Sequence, residues 1–75
     1  MNIEALNQFA HENDLEFKYS VNKRLNGTFI FSFYNRKTHN AYTYYVGKWE
    51  LSDVNNHEII VNSIIRTVIK ELLNK

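Results

Sequence analysis

The stretch KRLNGTFIFSF (residues 23–33) sets an Asn-Gly turn signal directly before Phe29, Phe31 and Phe33, three phenylalanines in strict alternation. Alternation with a period of two marks a strand with one buried face, and Asn-Gly between alternating runs is a strong hairpin signal. The preceding segment, LEFKYSV (residues 15–21), alternates too, with Leu15, Phe17, Tyr19 and Val21 on one face and Glu16, Lys18 and Ser20 on the other. A two-residue Asn26-Gly27 turn would pair Leu25 with Thr28, hence Val21 with Ser32 and Tyr19 with Tyr34. The two apolar rows would then lie on opposite faces. A one-residue slip moves every side chain across the sheet, so burial rejects that register and asks for an odd loop. A three-residue loop, Leu25-Asn26-Gly27 with Gly27 left-handed in a G1 bulge, pairs Val21 with Phe31 and Tyr19 with Phe33; a five-residue loop serves equally.

A third strand is expected in NAYTYYVGKWEL (residues 40–51), where both faces carry tyrosine. A two- or four-residue loop around Lys37-Thr38 pairs Phe33 with Tyr42, Phe31 with Tyr44 and Phe29 with Val46, which keeps one apolar face. Beyond it Lys48 would point inward, so a bulge or strand end is expected near Gly47, turning Trp49 and Leu51 toward the core. Ahead of the strands, Ile3, Leu6, Phe9 and Ala10 recur at helical spacing up to about Asn13, with Asn2 placed as N-cap and Glu4 in the first turn. After them, SDVNNHE (residues 52–58) is rich in cap residues and opens a last helix from about Asn56 to Leu73. Its apolar positions spread over roughly 200° of the wheel, wider than a surface helix needs. Two readings stand: the first helix and the chain ends cover the stripe, or Ile65, Ile69 and Leu73 meet a second copy in a homodimer.

Without proline, linker or repeat, residues 1–75 read as one α+β domain: a three-stranded antiparallel meander with N- and C-terminal helices packed on one face. The chain is 44% hydrophobic and 15% aromatic, a composition that folds rather than stays disordered. It has no cysteine, so neither a disulfide framework nor a thiolate zinc site stabilises it. The first residues are acidic and amphipathic, unlike a secretory or mitochondrial leader, and no apolar run is long enough to span a membrane. A soluble, cytoplasmic protein is expected.

Charge is segregated along the chain. Residues 17–49 hold Lys18, Lys23, Arg24, Arg36, Lys37 and Lys48 and no Asp or Glu, whereas residues 1–16 hold four acids, Glu4, Glu12, Asp14 and Glu16, and no Lys or Arg. The net charge of +1 conceals this. With the Phe row buried, the other face presents Lys18, Ser20, Ile30, Ser32, Tyr34, Thr43 and Tyr45. Basic residues at strand ends ordinarily serve to keep edges apart. The functional alternative is a binding surface made of Lys18, Lys23, Arg24, Ile30, Tyr34, Arg36, Lys37, Tyr45 and Lys48, with tyrosines stacking on bases and cations tracking phosphates. The same patch suits an acidic protein surface.

No enzyme and no cofactor are expected. His11, His39 and His57 fall on a helix, a loop and a helix start without metal-ligand spacing, and Ser20, Ser32, Ser52 and Ser63 lack a nucleophile elbow. His39 in KTHNAY is the one candidate general base.

The order helix, three antiparallel strands, helix resembles the double-stranded RNA-binding domain fold, which also hosts mRNA-interferase toxins, and it is similar to some anti-CRISPR proteins of phages. That family holds phosphates with a basic cluster at the start of its second helix. Here SDVNNHE stands in that place, with Asp53 and Glu58, and only the Lys23-Arg24 loop matches in position and charge. The interferases carry a Gly-Ser-His run that KTHNAY lacks. Together with eleven asparagines, which suggest an AT-rich genome, the resemblance implies a small phage or mobile-element protein. It would bind nucleic acid, or inhibit a host defence or nucleic-acid-processing protein, or act as a structural or regulatory homodimer.

Overall fold

The computed structural model of the chain describes residues 1–25 and 27–73. Helix α1 runs over Ile3–Glu12 and is capped as expected: the Asn2 side-chain oxygen accepts from the Ala5 N–H at 3.1 Å. Asn13 closes it by donating from Nδ2 to the Phe9 carbonyl at 2.8 Å, and Asp14 turns the chain at φ 55°. Three antiparallel strands follow, β1 (Leu15–Asn22), β2 (Thr28–Asn35) and β3 (Asn40–Val46), in the spatial order β1-β2-β3.

Asn22 pairs with Thr28, so five residues join β1 to β2, and Val21 faces Phe29, Tyr19 faces Phe31 and Phe17 faces Phe33. The odd loop holds, and the longer of the two forms is the one used. The three-residue form would have set Phe17 against Asn35. The five-residue form stacks it on the phenylalanine row instead, 4.9 Å from the Phe33 ring and 6.4 Å from that of Phe31. Lys23–Leu25 form a single 3₁₀ turn, and Gly27 is left-handed at φ 75°, its N–H donating to the Asn22 carbonyl at 3.2 Å. Asn26, the other half of the turn signal, lies outside the described residues. Across β2 and β3 the expected register is found, Phe33 with Tyr42, Phe31 with Tyr44 and Phe29 with Val46, with residues 36–39 as a four-residue loop.

Strand β3 ends at Val46. Gly47 then opens a short helix, α2 (Lys48–Ser52), in which the Gly47 N–H donates to Glu50 Oε1 at 3.2 Å and the Glu50 N–H donates to the Gly47 carbonyl at 3.1 Å. This helix corrects the expected fate of Trp49. Two residues apart, Trp49 and Leu51 would share a strand face, but on a helix they point about 200° apart. Leu51 packs on the core while Trp49 is 85% exposed. A 3₁₀ turn, Val54–Asn56, capped by Asp53, leads into α3 (His57–Val68), which continues as a π turn over Ile69–Leu73.

Both long helices lie on the phenylalanine face, where Phe31, Phe33, Leu6, Ile64, Val46 and Val68 are fully enclosed and Phe9 meets Phe33 edge to face at 6.3 Å. Among the described residues Asn35 is the buried polar residue of this core. Its Nδ2 donates to the Leu72 carbonyl at 3.0 Å, and its Oδ1 accepts from the N–H groups of Lys37 and Thr38 at 2.9 and 3.3 Å. One side chain thus shapes the β2–β3 turn and anchors the far end of the last helix. Asn35→Ala leaves a buried carbonyl and two turn N–H groups without these partners and should cost about 2–3 kcal/mol. Gly27→Ala should cost about 1–2 kcal/mol through its left-handed backbone alone. The added methyl would meet only the Lys48 side chain, at 3.6 Å. Urea unfolding with an unchanged slope measures both.

Candidate binding face of the sheet

The face opposite the helices carries Glu16, Lys18 and Ser20 from β1, Ile30, Ser32 and Tyr34 from β2, and Ala41, Thr43 and Tyr45 from β3, because each lies one residue out of phase with the buried row. Tyr34 stands between Glu16 and Ala41, Ser32 between Lys18 and Thr43, and Ile30 between Ser20 and Tyr45. Tyr45 is 60% exposed and the side chains of Ile30 and Tyr34 are half-buried. Tyr34 and Tyr45 are four strand positions and one strand apart, roughly 14 Å. No single planar ligand can touch both, so they act as separate platforms with Ile30 and Lys18 between them. The remaining tyrosines, Tyr19, Tyr42 and Tyr44, belong to the helix-covered side.

The cations do not form one patch. Lys23 and Arg24 stand at the end of the sheet where β1 turns into β2, and Lys48 joins them there because its side chain lies against Gly27. Arg36 and Lys37 occupy the opposite end, the length of β2 away, roughly 24 Å. Lys18 alone sits on the face itself, on the β1 edge strand. Arg36 is turned aside: its guanidinium meets the Asp14 carboxylate at 3.6 Å, an exposed pair worth at most about 1 kcal/mol. Acids that are separate in sequence thus return in space, since Asp14 and Glu16 lie at the Arg36 end. The end with Lys23, Arg24 and Lys48 keeps its charge, as Glu50, the acid nearest it in the chain, is occupied with the Gly47 N–H.

Three features escaped the sequence. The Tyr34 hydroxyl bonds to His39 Nδ1 at 2.8 Å, with His39 itself left-handed at φ 63°. Its signal was the four-residue loop, which brings residue 39 back beside the row of Tyr34. His57 Nε2 lies 2.8 Å from the Leu51 carbonyl, pinning α2 to the start of α3. Beside it a half-open hollow of about 230 Å³ is lined by Met1, Ile3, Tyr19, Phe29, Phe31, Leu51 and His57. Of the residues expected to join two copies, Ile65 and Leu73 pack partly buried on the core, and Ile69 is 41% exposed next to Ile59 at 63%.

No cluster of three or more His, Asp or Glu among the described residues could hold a metal ion, and no helix among them is long and apolar enough to cross a membrane. The chain matches no protein-family model, no curated protein and no solved structure.

The exposure of Trp49 is open to a direct check. Trp49→Ala should change stability by less than about 0.5 kcal/mol, because the indole has little packing to lose. A loss of several kcal/mol would mean that it belongs to the core.

Proposed function

We propose that this chain is a small non-enzymatic binding module whose open sheet face engages single-stranded nucleic acid. The observation that carries the reading is the arrangement of that face: Tyr34, Ile30 and Tyr45 spaced along a sheet that no helix covers, with cations at both ends. Aromatic platforms at intervals suit bases that are already unstacked, and cations at the two ends suit a backbone running the length of the strands. A duplex offers no exposed base faces to these rings. The phage or mobile-element origin implied by the resemblance to the double-stranded RNA-binding domain fold is part of the same proposal, though the binding mode differs from that family's.

Affinity for single-stranded homopolymers should fall with salt. Neutralising three to five phosphates gives a logarithmic slope of about −2 to −3.5, a loss of roughly 16- to 130-fold between 50 and 200 mM salt. Tyr34→Ala and Tyr45→Ala should each weaken binding roughly 5- to 160-fold, the range expected for one stacked base. Tyr45→Ala should leave the unfolding midpoint nearly unchanged, given its exposure. Fluorescence anisotropy with labelled oligonucleotides measures both, and absence of binding at low salt would reject the reading.

Trp49 favours a second reading, a protein that covers and inhibits a host defence or nucleic-acid-processing protein. An indole 85% exposed, with Val54 five residues further along the chain at 76%, is the kind of anchor that protein interfaces bury. Under that reading a stoichiometric host protein is retained from nuclease-treated lysate, and Trp49→Ala loses it while Tyr45→Ala need not.

A further inference from the structure

The directions of the backbone groups define a surface that the binding face does not use. Within a strand, the N–H and C=O of one residue point to the same side, and successive residues alternate. The Asn22 carbonyl accepts from Gly27, which directs the even-numbered residues of β1 toward β2. Independently, the Asn35 carbonyl accepts from His39, which directs the odd residues of β2 toward β3 and its even ones toward β1. The two agree. Phe17, Tyr19 and Val21 therefore point their N–H and C=O groups away from the sheet, and among the described residues no turn or loop hydrogen bond reaches them.

Apart from the charges of Glu16 and Lys18, this edge lacks the usual protections. It is eight residues long, pairs with β2 without a bulge, and contains no proline. Apolar surface lies beside it: Tyr19 and Val21, on the helix side of the sheet, are 42% and 44% exposed. The β3 edge differs, since its helix-side residues Tyr42 and Tyr44 are half-buried and Val46 is fully buried.

We infer that two copies of this chain pair through β1, antiparallel, with Phe17 opposite Phe17. Matching faces require residues of equal parity to stand opposite each other, which allows twofold axes at Phe17, Lys18 or Tyr19 near the strand's centre. An axis at Lys18 sets like charges together at a position without hydrogen bonds, where side chains come closest. An axis at Tyr19 sets Lys18 against Ser20 and Glu16 against Asn22, with no ion pair. An axis at Phe17 sets Glu16 against Lys18 twice, on the open face. It also places Leu15 beside Tyr19 and Phe17 beside Phe17 on the helix side, with hydrogen-bonded pairs at residues 15, 17 and 19. Neither Glu16 nor Lys18 has an ion pair within the described chain, so both are free for this one. The result is a six-stranded sheet whose open faces are continuous. It withdraws Lys18 from the nucleic-acid surface and leaves the two ends and the tyrosines in place.

Sedimentation equilibrium without nucleic acid tests this apart from the binding proposal. The chain should associate to twice its mass as concentration rises. Lys18→Glu, which sets four carboxylates together, should weaken association roughly tenfold or more, and the double change Glu16→Lys with Lys18→Glu should restore it. Circular dichroism checks that both variants fold. Amide exchange at Phe17 and Tyr19 should slow with concentration while that at Thr43 does not. A monomer at every concentration overturns the inference, as does a dimer indifferent to charge reversal or one that protects β3 or α3 instead.

Discussion

Phe31 and Phe33 sit at the centre of the middle strand with almost no exposure, and the parity they impose reaches every other element. With the odd residues of β2 facing the helices, β1 must also turn its odd residues inward, and β3 its even ones. The loop between β1 and β2 must therefore be odd and the next one even. Both hairpins need a backbone conformation that ordinary residues resist, and both find it at the last loop residue, Gly27 in one and His39 in the other. Asn35 then ties the second turn to the end of the last helix. A chain this short exposes much of its surface, so a slip of one residue would exchange its core for its exterior.

What could be read from the residues follows from how long each pattern runs. The strands alternate over seven or eight residues, enough to fix faces and to reject the two-residue turn without coordinates. The choice between three and five loop residues could not be made that way, because parity is blind to a shift of two. Ring packing decided it, through Phe17 against Phe31 and Phe33. Helix α2 is too short to show a period, so the residues signal a bulge or strand end near Gly47 but not the helix after it, and Trp49 is expected inward together with Leu51. The Gly47–Glu50 spacing was the available signal, a carboxylate placed to reach back to the first free N–H.

Charge was legible in amount but not in arrangement. Residues 17–49 carry only cations, yet folding splits these between opposite ends of the sheet and returns Asp14 and Glu16 to one of them. Linear segregation overstated the basic face, because a meander places residues far apart in sequence on neighbouring strands. The five-residue loop carries this correction with it: Leu15 opposite Asn35 puts Asp14 beside Arg36.

The surfaces left open share one geometric origin. Two helices of ten and twelve residues lie on one face of a three-stranded sheet and leave part of β1 on that face uncovered. Tyr19 and Val21 stay exposed there although their alternation is that of core residues. Alternation states which face a residue joins; whether that face is covered depends on the width of the layer above it. The same limit leaves the opposite face bare, with Tyr34, Ile30 and Tyr45 on it. Lys18 belongs to both surfaces, since it projects from the open face of the very strand whose edge is free. Its charge can serve phosphate or Glu16 of a second copy, but not both at once, so the proposed binding and the inferred pairing through β1 would compete for this one side chain.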